Sequence, residues 1–277
     1  MRGGNIPLFN FINGNKFEMF KFVLIVTYLF LKPIITVENE ITFGEGLIFK
    51  YGTLQHLEDT LIHNRLGFSK AGRLNDPFEI AHRLMNSVSE EIHKRKREFL
   101  NNTEISCFSK TPNEPLMWSH YSDKHHGVCY VFDENEVILY GLTDNFGDIT
   151  YSNHIPTIYY DEYQGNDTDL KRELNRVLFT KSLNWAYEQE YRITLKQGVE
   201  KIFRRKSLKG VILGFRASIE YEKRILDIVE KANKDQDEKI KVYYANLSTE
   251  KYTIAITEKP TRIVSENIRL INPFSPK

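Results

Sequence analysis

Residues 115–133 read PLMWSHYSDKHHGVCYVFD, and this stretch gives the clearest indication of the fold. Polar aromatic side chains crowd its first half, and the apolar run 128–132 follows a single glycine, Gly127. A short apolar run of β-branched and aromatic residues is typical of a buried strand. The sequence therefore predicts a buried strand directly after the aromatics. Three interpretations of the aromatics stay open: a metal site, a surface on which a flat ligand stacks, and plain packing.

Short strands and helices alternate irregularly on both sides of this stretch. The strand-like runs are LIFKY (47–51), LGFS (66–69), EISCFS (104–109), EQEYRITL (188–195), GVILGF (210–215), IKVYYANL (240–247) and KYTIAITE (251–258). Helical patterns cover residues 53–66, 87–100, 167–182 and 218–234, with Thr53, Ser87 or Ser89, and Asp167 or Thr168 as expected N-caps. This order predicts an α+β fold with a mixed, mostly antiparallel central sheet flanked by helices.

The charge balance excludes a strong global attraction to nucleic acid. The chain has 277 residues with 38 Lys and Arg against 37 Asp and Glu, for a formal net charge of +1. Two local basic runs, HKRKR (93–97) and FRRKSLK (203–209), are interpreted as solvated faces. The two cysteines, Cys107 and Cys129, fit buried positions in a reducing, cytoplasmic compartment.

The N-terminal residues differ from the rest of the chain. The run FVLIVTYLFL (22–31) is apolar but shorter than the ~20 residues that a spanning helix needs. We expect residues 1–44 to be a hydrophobic appendage and residues 45–277 to be one α+β domain. A membrane anchor, an uncleaved signal and an upstream extension stay open for the appendage, and residues 22–37 could associate weakly with a membrane.

The stretch WAYEQEYRI (185–193) holds two carboxylates, Glu188 and Glu190, that are two positions apart. If the segment is a strand, both point to one face, and Arg192 shares that face. Two neighbouring carboxylates repel each other unless they are exposed, paired or used in chemistry. A surface charge ladder and a partly buried functional pair are therefore the two interpretations that stay open.

Two other segments carry candidate site residues. Asn75 and Asp76 in RLNDPFE (73–79) either shape a turn or bind a ligand, and Lys50 and Tyr51 end the first strand. The histidines of the opening stretch, including His120, lack the spacing of a metal site, so no metal is expected.

These pieces occur in an order that resembles the bacterial domain-of-unknown-function family twenty-nine seventy-one, over residues 45–257. The most specific pieces are NDPFE (75–79), MWSHY (117–121) and Trp185 followed by Glu188-x-Glu190-Tyr191-Arg192. The order of elements is also similar to the ADP-ribosyltransferase fold, whose sheet is split. That similarity implies an NAD-consuming transferase or NAD glycohydrolase, for example a toxin or a phage-defence effector.

The same resemblance implies roles for particular residues. A residue of the first strand would bind the ribose. That residue is usually His or Arg, and in this sequence Lys50 or Tyr51 occupies the position instead. Tyr121 or Ser109 would occupy the second position and Glu190 the third, with Glu188 completing a paired-glutamate motif. Catalysis would then rest on Glu190, Glu188 and Tyr121. The remaining residues expected to bind the nucleotide are Lys50, Tyr51, Asn75, Asp76, Ser109, Trp118, His120 and Arg192.

The chemistry of these residue types agrees with such an activity. Cleavage of the nicotinamide–ribose bond builds oxocarbenium character, which a carboxylate at Glu190 would stabilise. Glu188 would orient or deprotonate the acceptor, a protein or a nucleic acid, and NAD would be the substrate. A nucleic-acid-acting protein, with the aromatics stacking on bases, and a non-catalytic partner-binding module remain the alternatives.

Overall fold

The computed structural model describes residues 40–84, 89–138, 145–160, 166–248 and 250–260. The strands in these ranges are β1 (Leu47–Gly52), β2 (Ser69–Lys70), β3 (Arg83–Leu84), β4 (Thr103–Ser109), β5 (Val128–Asp133), β6 (Asn145–Asp148), β7 (Thr150–Ser152), β8 (Thr157–Ile158), β9 (Thr180–Ser182), β10 (Glu190–Lys196), β11 (Leu208–Leu213), β12 (Lys241–Leu247) and β13 (Ile254–Thr257). The α-helices are α1 (Leu57–Leu61), α2 (Glu90–Asn101), α3 (Pro115–Tyr121), α4 (Glu134–Ile138), α5 (Asp167–Leu178) and α6 (Ile219–Asn233).

One large sheet organises the described residues. Its strand order is β13-β12-β11-β5-β1-β4-β10-β6, and β2 pairs with β4 off this path. The β11–β12 pair is parallel and the other pairs of this sheet are antiparallel. The predicted α+β class with a mixed, mostly antiparallel sheet flanked by helices is therefore confirmed.

The buried strand predicted at residues 128–132 is β5, which lies between β1 and β11. Its side chains alternate between the two faces, as the pleat of a strand requires. Val128, Tyr130 and Phe132 join the core beneath α1 and α6, whereas Cys129 and Val131 join the core of the opposite face. Because both faces are covered, the strand reads as a continuous apolar run.

The turn before β5 explains the single glycine. A Cβ atom at Gly127 would lie 2.3 Å from the carbonyl oxygen of Gly52, which is closer than any side chain tolerates. The chain reaches this point through three consecutive left-handed residues, 123–125, with φ angles of 44°, 51° and 73°. Gly127 N then donates to Ser122 O and closes the turn. The glycine therefore lets the end of β1 pack directly on the start of β5.

The sheet is split between β1 and β4. Only Phe49 and Ser109 are paired between these two strands, whereas β1 pairs with β5 along its whole length. Further along β4, the short strand β2 takes the same edge, with Ser69 opposite Ile105. A gap therefore opens in the middle of the sheet, between the end of β1 and the centre of β4. This gap agrees with the expected split sheet.

Several local predictions are wrong in detail. The strand expected at 66–69 begins only at Ser69, and the helix expected over 167–182 ends at Leu178, before β9. The helix expected over 53–66 reduces to a 3₁₀ turn, Leu54–His56, followed by α1, and Thr53 makes no side-chain cap bond. The chain leaves this helix early because Asn64 takes a φ of 52°. The N-cap of α5 is Asn166 instead of Asp167 or Thr168. The Asn166 side chain accepts hydrogen bonds from the backbone N–H groups of Thr168 and Asp169, and the Asp169 side chain accepts one from Asn166 N.

A further error concerns the strand expected to begin at Glu188. Residues 183–188 instead form a 3₁₀ helix, Leu183–Glu188, and the left-handed residue Gln189, with φ 43°, separates it from β10. The strand therefore begins at Glu190. By contrast, the predicted cap Ser89 is confirmed, since its side chain accepts from Ile92 N.

The expected N-terminal appendage lies mostly outside the described residues, which begin at residue 40. Where the chain is described, Ile41 N donates to Ile256 O, and the Phe43 ring packs edge-on against Phe49 and Tyr243. Within the described ranges, no helix combines the length and the apolar character needed to cross a membrane.

Candidate functional site

A cavity of about 280 Å³ opens at the split of the sheet. Its walls come from β1, β4, β10, α3 and the segment 67–79. The lining residues are Phe49, Lys50, Tyr51, Gly67, Ser69, Arg73, Leu74, Asn75, Glu79, Ile105, Cys107, Phe108, Met117, Tyr121, Lys181, Glu188, Glu190 and Arg192. Seven of the eleven residues expected from the sequence therefore meet at one cavity.

Glu188 and Glu190 reach this cavity from different backbone environments. Glu188 ends the 3₁₀ helix, and its carbonyl oxygen accepts a 2.7 Å hydrogen bond from the Ser109 hydroxyl. Glu190 begins β10 opposite Ser109, and its backbone N–H donates to the Tyr151 hydroxyl at 2.7 Å. Because both ends of the turn are tied to neighbouring strands, the two carboxylates are held in fixed positions.

Lys181 joins the two carboxylates. Its Nζ lies 2.5 Å from Oε2 of Glu188 and 3.0 Å from Oε2 of Glu190. All three side chains are 3% exposed, so the contacts are shielded from bulk water. The interpretation of a surface charge ladder is therefore wrong for this pair: the carboxylates are buried and share one cation.

Arg192 completes the pairing of Glu190. Its Nε donates to Oε1 of Glu190 at 2.7 Å and its Nη2 to Oε2 at 3.1 Å, so the expected Arg192–Glu190 pair is confirmed. Arg192 is fully buried and also donates through Nη1 to Leu178 O. Three donors from Arg192 and Lys181 thus occupy both oxygens of Glu190, which leaves little capacity for a further donor.

These contacts separate the pKa values of the two carboxyls. Burial alone would raise the pKa of Glu190, but the charges and hydrogen bonds of Arg192 and Lys181 outweigh it and lower the pKa to about 2. Burial raises the pKa of Glu188, and Lys181 offsets this only in part. Glu190 is therefore the firmly ionised member of the pair, and Glu188 is the member that exchanges a proton more readily.

Tyr121 links Glu188 to the mouth of the cavity. Its hydroxyl donates to Oε1 of Glu188 at 2.7 Å and accepts from Nδ2 of Asn75 at 2.6 Å. Burial and the neighbouring Glu188 carboxylate raise the pKa of the Tyr121 phenol, so it remains a donor at neutral pH. Asn75 is exposed, and the chain of bonds therefore runs from solvent to the buried carboxylate.

Lys50 lies in the gap of the sheet itself. Its Nζ donates to the Ser106 hydroxyl at 2.8 Å and to the Cys107 carbonyl at 3.1 Å. Both acceptors lie on β4, at the part of the strand that β1 does not pair with. The amino group also lies 5.1 Å from the centre of the Phe108 ring. Burial lowers the pKa of Lys50. Both its hydrogen-bond acceptors are neutral, so this cation is available to a negatively charged ligand.

The other expected residues lie beside the cavity. Ser109 and Trp118 are fully buried, and Trp118 donates from Nε1 to Pro112 O at 2.7 Å. Asp76 accepts from Phe78 N through Oδ1 at 2.9 Å and so shapes the turn. His120 is exposed, with its ring against that of Tyr121. Among the MWSHY residues, the cavity wall comes from Met117 and Tyr121.

The lining residues that sequence reasoning missed include Lys181, Glu79 and Met117. All three belong to segments that the resemblance had already singled out, KSLNWAYEQEYRI, NDPFE and MWSHY. A buried lysine between two carboxylates has no local signature, because its partners lie seven and nine positions away. Across the described parts of the chain, no group of three or more metal-ligating side chains occurs.

Comparison with known proteins gives one family and one structural likeness. The chain matches no curated protein. The solved structure of DarT from Thermus sp. 2.9 in complex with ADP-ribosylated ssDNA is similar to 73% of this chain and 96% of its own, with a TM-score of 0.36 and 12% identity. The model of the family described as "Protein of unknown function (DUF2971)" matches residues 117–193, which confirms the resemblance over the segment from the MWSHY motif to the Glu188–Arg192 motif.

Proposed function

We propose that this protein binds NAD in the split of the sheet and cleaves its nicotinamide–ribose bond, as an ADP-ribosyltransferase or an NAD glycohydrolase. The observation that carries the proposal is the carboxylate pair Glu188 and Glu190. Both are buried, both contact Lys181, and both line one cavity. Enzymes that cleave glycosidic bonds commonly use two carboxyl groups whose pKa values are shifted in opposite directions.

The arrangement of the strands supports the same activity. The three strands to which the resemblance assigns site residues are β1, β4 and β10, and they are consecutive neighbours in the sheet. They carry Lys50 and Tyr51, Ser109, and Glu190 respectively. The order of motifs in the sequence does not itself require these strands to be neighbours, so their adjacency in space supports the proposal separately.

The charge of the cavity suits an anionic nucleotide. Four basic side chains line it, Lys50, Arg73, Lys181 and Arg192, against three carboxylates. The volume of about 280 Å³ lies just below the usual range of ligand pockets, which begins at about 300 Å³. We therefore expect the cavity to hold only the nicotinamide riboside end of NAD, with the remainder of the dinucleotide towards the mouth.

The cleavage step follows from the charges of the site. The bond between C1′ of the ribose and the nicotinamide nitrogen breaks, and its electron pair leaves with the nitrogen, so the pyridinium becomes neutral nicotinamide. C1′ gains oxocarbenium character, which the ionised carboxylate of Glu190 stabilises. The low pKa of Glu190, about 2, keeps that charge in place throughout the physiological range.

Glu188 completes the reaction. A water molecule or an acceptor hydroxyl or amine attacks C1′ and loses its proton to the Glu188 carboxylate, whose raised pKa suits a general base. Tyr121 donates to Oε1 of Glu188 and so fixes the direction of the carboxylate. Attack by water gives free ADP-ribose, and attack by an acceptor gives an ADP-ribosylated product.

The two basic runs, 93–97 and 203–209, give little support for a surface that binds nucleic acid. Arg97 of the first run lies 2.6 Å from Glu90, while Lys206 and Lys209 of the second lie 2.8 Å from Glu136 and 2.9 Å from Glu238. Cations that already pair with carboxylates have less to gain from phosphates. A nucleic acid is therefore proposed only as a candidate acceptor, beside proteins.

The test is release of nicotinamide from NAD by the full-length protein, with Glu188→Gln and Glu230→Gln as variants. Glu230 is exposed on α6 and does not line the cavity, which makes it a matched control for the loss of one carboxylate. We expect release by the parent and by Glu230→Gln, and a loss of ~100-fold or more for Glu188→Gln. Equal release by all three proteins contradicts the assignment of Glu188.

A further inference from the structure

Glu79 is a buried carboxylate that lines the cavity and has no assigned role. The residue is 9% exposed, and its side chain is 4% exposed. Its Oε1 forms a buried ion pair with Nη1 of Arg192 at 2.7 Å. Among the described residues, Oε2 of Glu79 has no polar partner. One carboxylate oxygen of a residue that lines the cavity thus has no donor.

The loop that carries Glu79 is built to hold it there. Asp76 accepts from Phe78 N at 2.9 Å through its side chain, and Glu79 N donates to Asp76 O at 3.0 Å. The next residue, Ile80, has a φ of 60°. A left-handed conformation is unfavourable for a β-branched residue and persists where the surroundings impose it, often at ligand sites. The backbone therefore accepts strain directly beside Glu79.

The three carboxylates of the cavity differ in their remaining capacity for donors. Glu190 accepts three hydrogen bonds from Arg192 and Lys181, and Glu188 accepts one bond on each oxygen. A carboxylate has about four lone-pair positions. Glu79 contacts one cation through Oε1 and has Oε2 left without a donor, and burying such an oxygen is costly unless a partner satisfies it. A ligand that supplies donors removes this cost.

We propose that Glu79 accepts hydrogen bonds from the ribose hydroxyls of the bound nucleotide, so that the site selects ribonucleotides over their deoxy analogues. The inference rests on the proposed function for the identity of the ligand. A ribose hydroxyl is a donor, and Oε2 of Glu79 is a carboxylate acceptor without a partner among the described residues. Arg192 contacts Oε1 of Glu79 and so fixes the position of the carboxylate at the cavity wall.

The test measures binding by calorimetry for the full-length parent and for Glu79→Gln. The ligands are NAD and four analogues, each lacking the 2′ or the 3′ hydroxyl of one ribose. We expect the parent to bind at least one analogue about tenfold or more weakly than NAD. Glu79→Gln should bind NAD about tenfold more weakly and should no longer discriminate against that analogue, because the lost partners are the same pair.

A stability measurement separates this role from a structural one. Because Glu79→Gln removes one charged partner of the buried Arg192, its melting temperature should fall below that of the parent, and binding is compared at a temperature at which both proteins are folded. If that variant is too unstable to assay, Glu79→Asp keeps a charge beside Arg192 and withdraws the oxygens from the cavity. It should show the same loss of discrimination.

Each outcome decides between the two proposals. If the variants discriminate against the deoxy analogues as strongly as the parent does, the role of Glu79 is overturned and the proposed function is unaffected. If the parent binds the ribose ligands selectively but releases no nicotinamide, the proposed function falls and the role of Glu79 stands. If the parent binds none of the five ligands, both proposals fall.

Discussion

The hydroxyl of Tyr121 donates a 2.7 Å hydrogen bond to Oε1 of Glu188, which connects the end of α3 to the buried carboxylate pair. The bond joins two residues that are 67 positions apart in the chain. It brings the MWSHY motif and the Glu188–Arg192 motif together at one cavity. The two motifs of the matched family segment are therefore parts of a single site.

Tyr121→Phe tests the importance of this bond. The substitution removes one donor to the Glu188 carboxylate and, since that bond lowers the pKa of Glu188, the pKa should rise further. We expect kcat/KM for NAD cleavage to fall about tenfold or more. The acidic limb of the pH–activity profile should move to higher pH, because Glu188 must be ionised to accept a proton. A profile identical to that of the parent contradicts the base assignment.

Lys181→Met tests the cation that the two carboxylates share. Removing one partner of a buried ion pair leaves uncompensated charge, which typically costs about 3–5 kcal/mol. We expect the free energy of unfolding in urea to fall by that amount. Lys223→Met, at an exposed position of α6, is the matched control and should change stability by less than about 0.5 kcal/mol. Similar stabilities for the two variants would show that Lys181 is not a structural partner of the carboxylates.

The low pKa of Glu190 predicts a dependence of stability on pH. A carboxyl whose pKa falls from 4.5 to about 2 on folding contributes stability above pH 4.5, and that contribution is lost as the pH falls towards 2. The contribution is on the order of 3 kcal/mol. In Glu190→Gln this part of the acid sensitivity should be absent.

Urea unfolding at pH 6 and at pH 3 measures this difference. Glu190→Gln should be less stable than the parent at pH 6, because Arg192 and Lys181 lose a charged partner. The difference in the free energy of unfolding between the two proteins should be smaller at pH 3. A difference that is the same at both pH values shows that Glu190 is not held ionised by its neighbours.

Trp118→Phe separates packing from ligand binding. Trp118 is fully buried, donates to Pro112 O, and contacts the ring of Tyr51 edge-on at 5.2 Å. The substitution leaves a buried carbonyl without its donor, so stability should fall by about 1–3 kcal/mol. The affinity of the folded protein for NAD should not change, since Trp118 does not line the cavity. A large loss of affinity without a loss of stability contradicts the packing role.

Strong local patterns allowed much of the fold to be predicted. β5 has an uninterrupted apolar run, and α6 has a helical apolar stripe that packs Ile225, Ile228 and Val229 into the core. Both elements are recognisable because burial on a sheet or a helix face imposes its own period on the sequence. The α+β class followed from the order of such elements.

The geometry of the site was harder to predict. Alternation in WAYEQEY suggested a strand, but the left-handed Gln189 turns the chain just before β10, and no local pattern marks that turn. The Tyr121–Glu188 bond and the Lys181 bridge depend on how distant segments meet. Trp118 and Tyr121, three positions apart on α3, have opposite roles because one faces the core and the other faces the cavity.

The most direct test of NAD binding at the split sheet is a crystal structure of full-length Glu188→Gln with NAD, since this variant should bind NAD and cleave it slowly. We expect the nicotinamide ribose in the split between β1 and β4, beside Glu190, with the phosphates towards Lys50 and Arg73. A dinucleotide bound elsewhere, for example in the open groove between α2 and α5 that Phe99 and Leu174 line, would contradict it.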